Sequence, residues 1–221
     1  MRGMEMISVS DENQLFERLS AEFGEETGNV IRWILEQKDR YGVRIVNISV
    51  GTQPDLAVYQ KYLFLDAVEE LWDSGLVVVV SAGNYGPGTG TVAVPATSRK
   101  VITVGVPDTE LPPVQRRAKN INYSGRGPTG ECVVKPDVFA PGTGIISCNG
   151  RYGRSGEHPY TMKTGTSMAT PVVSGAVACL LSKYPDMTNV EVKLRLREAC
   201  VKMPGTEAGW GMLNMERLLK V

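Results

Sequence analysis

Residues 165–171 read Gly165-Thr166-Ser167-Met168-Ala169-Thr170-Pro171, and Val172, Val173, Ala176, Val177, Ala178, Leu180 and Leu181 follow before Ser182. Apolar residues on nearly every face predict a buried helix. Pro171 does not break it, because a first-turn N–H has no intrahelical acceptor and proline's fixed φ suits that position. The helix therefore starts near Thr166 or Ser167, and Gly165 lets the backbone turn into it. Taken alone, this reads first as a helix with a Ser or Thr cap. The alternative reading is chemical. A serine here sits at the positive end of the helix dipole, beside backbone N–H groups that stabilise a developing anion.

Working outward, Leu76-Val77-Val78-Val79-Val80 is an apolar run rich in β-branched residues, set between Gly75 and Gly83, and it predicts a fully buried strand. Asn84 falls just past the strand's C-terminal end, the edge where ligands of open α/β sheets gather. A plain turn role for Asn84 is the alternative. Arg44-Ile45-Val46-Asn47-Ile48-Ser49-Val50-Gly51 is a second strand closed by glycine. Helices are predicted over 28–41, with Val30, Ile31, Ile34 and Leu35 apolar and Gly42 as C-cap, and over Asp55–Ser74. Strands 43–50, 76–81 and 100–106 alternate with them, which predicts a parallel sheet with right-handed crossovers. Segments 119–123, 144–148 and 159–164 read as short strands or hairpin arms. Helices 166–183, 188–201 and 212–220 finish the chain, with a capping box from Thr188 and Glu191.

The Gly165–Pro171 string resembles the active-serine motif of the subtilisin-like serine proteases (subtilases) at every position. The Ala82-Gly83-Asn84 string, the Arg44–Gly51 strand and the loops Tyr123-Ser124-Gly125-Arg126-Gly127-Pro128 and Lys135–Gly142 resemble family motifs in the same order, so the resemblance runs from about Asn29 to Val221. It implies an α/β, three-layer subtilisin-like fold with a mostly parallel sheet flanked by helices and its N-terminal part missing. Residues 28–221 would form the peptidase domain, and residues 1–27 a loop-like or poorly ordered segment. By resemblance Ser167 is the nucleophile, and the Asn84 amide and the Ser167 N–H form an oxyanion hole. Ser49, Val50 and Gly51 would pair their backbone with a peptide as an added strand. Gly83 would also bind substrate, and the loop Tyr85–Val94 would line the primary specificity pocket, Tyr85 at the rim and Ala93 near the base, favouring an apolar or aromatic residue before the scissile bond. The two Gly/Pro-rich loops would hold the serine loop in place, and Val94–Pro95 would be cis. Structural calcium in relatives is held mostly by loop carbonyls, which leave no side-chain signature; the chemistry itself needs no cofactor.

The family also needs an aspartate ahead of Thr-Gly or Ser-Gly and a histidine in His-Gly-Thr-His, and neither string is present. Asp108 follows the apolar run Val101–Val106 but precedes Thr109-Glu110, and Asp137 belongs to the Lys-Pro-Asp loop; both read as structural. The single histidine, His158, lies nine residues before Ser167. With extended chain between them, at ~3.3 Å per residue, it is about 20 Å away, whereas a general base must come within about 3 Å, directly or through one water. His158 is expected on an exposed hairpin. The chain alone is therefore expected to be inactive. An N-terminal segment or a separate chain would supply Asp and His to act on a peptide or protein substrate.

Composition narrows the rest. At 221 residues and 42% hydrophobic, the chain suits one large domain. A net charge of zero points to no nucleic-acid partner and no charged membrane surface. No apolar run of membrane-spanning length occurs, and Met1–Ser10 lacks the apolar stretch of a signal peptide. Cys132, Cys148, Cys179 and Cys200 form no Cys-x-x-Cys, so no metal site is expected; Cys179 reads as a small core residue. Two other readings compete: a peptide-binding pseudoenzyme that kept the cleft without its base, and the sedolisin class, which uses an aspartate where this chain has Asn84.

Overall fold

The computed structural model describes residues 6–9, 25–52, 58–108, 123–153, 156 and 158–220. Five strands, β1 (Met6–Val9), β2 (Ile45–Ile48), β3 (Val77–Ser81), β4 (Ile102–Gly105) and β5 (Val138–Phe139), form one sheet in sequential order, and every pair is parallel. Helices α1 (Glu25–Tyr41), α2 (Val58–Asp73), α3 (Thr166–Lys183), α4 (Asn189–Ala199) and α5 (Met215–Leu219) flank it. A separate antiparallel hairpin pairs β6 (Ile145–Cys148) with β7 (Tyr160–Lys163). The architecture is the three-layer α/β arrangement that the sequence predicts.

The β-branched run Val77–Val80 lies in the middle strand, and each of its residues is wholly buried, as a two-sided parallel strand requires. Burial of one such valine contributes ~1.5–3 kcal/mol, so this strand is the backbone of the core. Helix α3 lies against β2, β3 and β4, while α2 packs on β3 and α1 on α2. Gly42 ends α1 in the left-handed region at φ 66°, the conformation a C-cap glycine supplies at least cost. The Thr188–Glu191 capping box at the start of α4 is present in both directions.

Several expectations need correction. Residues 1–27 are not all loop-like: Met6–Val9 is a strand in register with Ile45–Ile48, and α1 begins at Glu25. The physical reason is that β2 has a free edge of N–H and C=O groups, and the short, mostly apolar segment Met6–Val9 satisfies it. Residues 10–24 lie outside the described residues, as do the start of the helix expected from Asp55 and most of the strand expected at 119–123. Val138–Phe139 adds a strand inside the Lys-Pro-Asp loop. Helix α3 is not buried all round: Pro171, Val172, Cys179 and Ser182 lie on an exposed stripe, so Cys179 is a surface thiol and not a core residue. Cys200 is the buried cysteine, and burial pushes its thiol up to about 11. Among the described residues, no helix is long and apolar enough to cross a membrane.

Candidate active site

Strands β2 and β3 end at the same edge of the sheet, and the segments just past them carry Ser49 and Asn84. The N-terminus of α3 arrives there too. Gly165 is the cap residue of α3 and offers no side chain to the first-turn N–H groups. Asn84 takes that role from 82 positions away: its Oδ1 accepts the Thr166 N–H at 2.9 Å and the Thr166 hydroxyl at 3.1 Å. Of a carboxamide's two heteroatoms only the oxygen can accept an N–H, so these two bonds assign the carboxamide's orientation and leave its NH₂ outside the cap. A Cβ on Gly165 would stand 3.6 Å from Asn84 Nδ2 and 3.8 Å from the Ser167 nitrogen, so glycine leaves the space in front of both open. Thr166 is thus a residue of the candidate site whose partnership with Asn84 the sequence reading missed. Its signal was only its place beside the serine.

Ser167 is half-buried at the second position of α3, and its hydroxyl donates to the Ser49 carbonyl at 2.7 Å. Behind that contact runs a buried chain of polar side chains. Ser174 Oγ donates to Asn47 Oδ1 at 2.9 Å, and Asn47 Nδ2 donates to Ser49 Oγ at 2.9 Å. A polar residue inside an apolar strand or helix must find a buried partner. Asn47 and Ser174 are such a pair, legible as two anomalies but not as a contact.

The substrate-binding expectations divide. Gly51, Gly83 and Ala93 come together: a Cβ on Gly51 would lie 2.8 Å from Ala93 Cβ, and one on Gly83 2.6 Å from it. Gly83 also has φ 85°, and its carbonyl accepts the Gly125 N–H at 2.8 Å. Ala93 is buried, while Tyr85 is exposed nearby. Val50 turns its side chain into the core, leaving only its backbone for a ligand. Val94–Pro95 is cis.

The two Gly/Pro-rich loops buttress the serine loop. Gly142 O accepts the Gly165 N–H at 2.9 Å and the Tyr123 hydroxyl at 3.2 Å. Both rejected aspartates are occupied elsewhere. Asp137 binds Lys135 Nζ at 2.6 Å and the Thr103 N–H at 2.8 Å. Asp108 pairs with Arg126 at 2.5 Å, and burial raises its carboxyl above the usual range despite that arginine. His158 is exposed at the far end of the β6–β7 hairpin, where its carbonyl accepts from Asn149. The structure does not bring it to Ser167. Among the described residues, no cluster of three or more His, Cys, Asp or Glu forms a metal site; loop carbonyls are a separate matter.

Comparison with known proteins agrees with this geometry. The sequence profile described as the subtilase family matches residues 20–211. The serine protease AprX of Bacillus subtilis (strain 168) is 40% identical over 162 residues, covering 68% of this chain and 36% of AprX. Subtilisin DY of Bacillus licheniformis is 31% identical over 185 residues, covering 82% of this chain and 59% of its own. Among solved structures, the S41 psychrophilic protease matches with a TM-score of 0.65 at 25% identity, covering 84% of this chain and 59% of that one. The chain thus spans 36% and 59% of the length of the two curated relatives. With the family profile matched over most of its length and the serine helix at the C-terminal edge of a parallel sheet, the chain belongs to the subtilase family, a family of serine-type peptidases.

Proposed function

We propose that this chain supplies the nucleophile and the oxyanion site of a serine-type endopeptidase, and that an N-terminal segment or a separate chain supplies the Asp and His. Ser167 Oγ attacks the carbonyl carbon of a peptide bond, and the supplied histidine takes its proton. The oxyanion of the tetrahedral intermediate lies between Asn84 Nδ2 and the Ser167 N–H at the positive end of α3. Collapse forms an acyl-enzyme as the same histidine protonates the leaving amine, and water then releases the acid. Ser49, Val50 and Gly51 meet the peptide through their backbone. Gly83, Tyr85 and Ala93 bound an uncharged pocket suited to an apolar or aromatic side chain.

The observation that carries this reading is the Asn84 carboxamide, whose oxygen is pinned by Thr166 so that its NH₂ stays available beside the serine. The exposed, distant His158 supports the need for an outside base. The test is to fuse, ahead of this chain, a subtilase segment carrying the Asp-Thr-Gly and His-Gly-Thr-His strings and to assay cleavage of a peptide with an aromatic residue before the scissile bond. Cleavage is expected from the fusion, none above background from the chain alone, and Ser167→Ala should abolish it. Fusion activity indifferent to Ser167→Ala would overturn the assignment. Tight peptide binding by a folded but inert fusion would favour the pseudoenzyme reading.

A further inference from the structure

Ser167 and Ser174 are seven residues apart, two turns of α3, so both face the same way. Both reach the β2 segment. Ser167 donates to the Ser49 carbonyl at 2.7 Å, and Ser174 donates to Asn47 at 2.9 Å. Ser174 also stands 3.2 Å from the Thr170 carbonyl, but a hydroxyl has one proton, and the shorter bond takes it. Asn47 then closes the circuit by donating to Ser49 Oγ at 2.9 Å. Asn47, Ser49 and Ser174 are all buried, with Ser174 wholly so.

Ser49 lies just beyond Ile48, the last ladder residue of β2, and the next backbone bond along the chain is Thr52 N–H to Val94 O. Among the described residues, its carbonyl accepts the Ser167 hydroxyl and no turn or loop N–H. The hydroxyl of the same residue accepts from Asn47, which is anchored in turn on α3 itself. Ser174–Asn47–Ser49–Ser167 is a closed clamp that begins and ends on one helix. We propose that Asn47 and Ser174 are positioning residues for Ser167: through the Ser49 carbonyl they set where the serine hydroxyl points and how firmly its proton is held. The role rests on the reading of Ser167 as nucleophile; the geometry it acts through does not.

The test measures that geometry without catalysis. In the full chain carrying Ser167→Cys, the thiol introduced at position 167 is titrated by its iodoacetamide alkylation rate against pH, read by mass spectrometry on the peptide that contains it. A thiol donating to the Ser49 carbonyl is stabilised in its neutral form, so its midpoint is held up. Adding Ser174→Val should lower that midpoint by about one pH unit, the size of one lost hydrogen bond. Ser174→Thr, with the same shape and a hydroxyl, should restore it. Ser49→Ala, which removes the hydroxyl but keeps the carbonyl, should give the same fall and provides an independent variant if residue 174 tolerates no branching. Protection of the buried Cys200 from alkylation reports that the fold is unchanged. An equal shift in the Val and Thr variants would mean packing alone, and an unmoved midpoint in Ser174→Val and Ser49→Ala would mean no clamp; either overturns the proposal. Failure of the nucleophile reading would appear instead in the fusion assay, with this titration unaffected.

Discussion

At Asn84 one side chain does two jobs. Its oxygen caps a helix that has a glycine where a capping side chain would be, and in the proposed function its nitrogen donates to the oxyanion at Ser167. The two jobs can be separated by Asn84→Asp. An aspartate keeps the acceptor for Thr166 and places a negative charge at a helix N-terminus, worth ~0.3–1 kcal/mol of stabilisation. It loses the donor. The expected outcome is an unchanged or higher unfolding midpoint, together with a turnover in the activated fusion reduced by about 10²–10³, a loss established on subtilisin itself. A destabilised variant with normal turnover would reverse both assignments. Much of this residue was legible: the Ala82-Gly83-Asn84 string after a valine run placed it at the functional edge. Its orientation was not, because that depends on Thr166, a residue distant in sequence.

At the scale of elements, the loops around α3 carry more structure than their Gly and Pro content suggests. A Cβ on Gly142 would fall 2.3 Å from Val106 Cγ2 and 2.8 Å from the Gly165 carbonyl. Gly142→Ala is therefore expected to cost about 1–3 kcal/mol through overpacking and to shift Gly165 with it; a denaturant midpoint within error of wild type would contradict this. Helix α4 is tied to the start of β4 by Lys193, whose ammonium donates to the carbonyls of Arg99, Lys100 and Val101 at 2.7, 2.8 and 3.0 Å, with the rings of Trp72 and Trp210 alongside. Lys193→Met leaves those carbonyls short of a donor and should destabilise by about 1–3 kcal/mol. Burial pulls the Lys193 pKa down from 10.5 to about 8. Between about pH 8 and pH 10.5 the unfolded chain then binds more protons than the folded one, so the stability contributed by this group rises with pH. Melts of wild type and Lys193→Met across that range should show the gap widening; a narrowing gap would mean that the carbonyls and indoles hold the ammonium better than water does.

The elements that were legible share a physical signature: Val77–Val80 is a continuous apolar run and Ile45–Ile48 an apolar run broken only by Asn47, each with glycines on either side. Those missed lack it. Met6–Val9 is short and exists as a strand because β2 offers an edge, and Val138–Phe139 is only two residues long. The exposed stripe of α3 went unseen because Pro171, Val172 and Cys179 carry no charge to mark an outer face, which only Ser182 and Lys183 suggest at the helix's end.

For the whole molecule, the fold brings Ser167, Asn84 and the segment after β2 to one edge of the sheet, and leaves the histidine exposed on a hairpin. That the one histidine lies on an exposed hairpin was readable from its place nine residues before Ser167. The Ser174–Asn47–Ser49 clamp was not, because it joins two segments 127 positions apart. The central claim is that Ser167 becomes a nucleophile only when a base arrives from outside this chain. The most direct measurement is labelling by a fluorophosphonate, which forms a stable phosphonate ester with an activated serine, followed by mass spectrometry of the peptide containing residue 167. The account predicts no label at Ser167 in the purified chain and stoichiometric label there once the Asp- and His-bearing segment is fused ahead of it. Label on Ser167 in the chain alone, or none at Ser167 in the fusion, would contradict it.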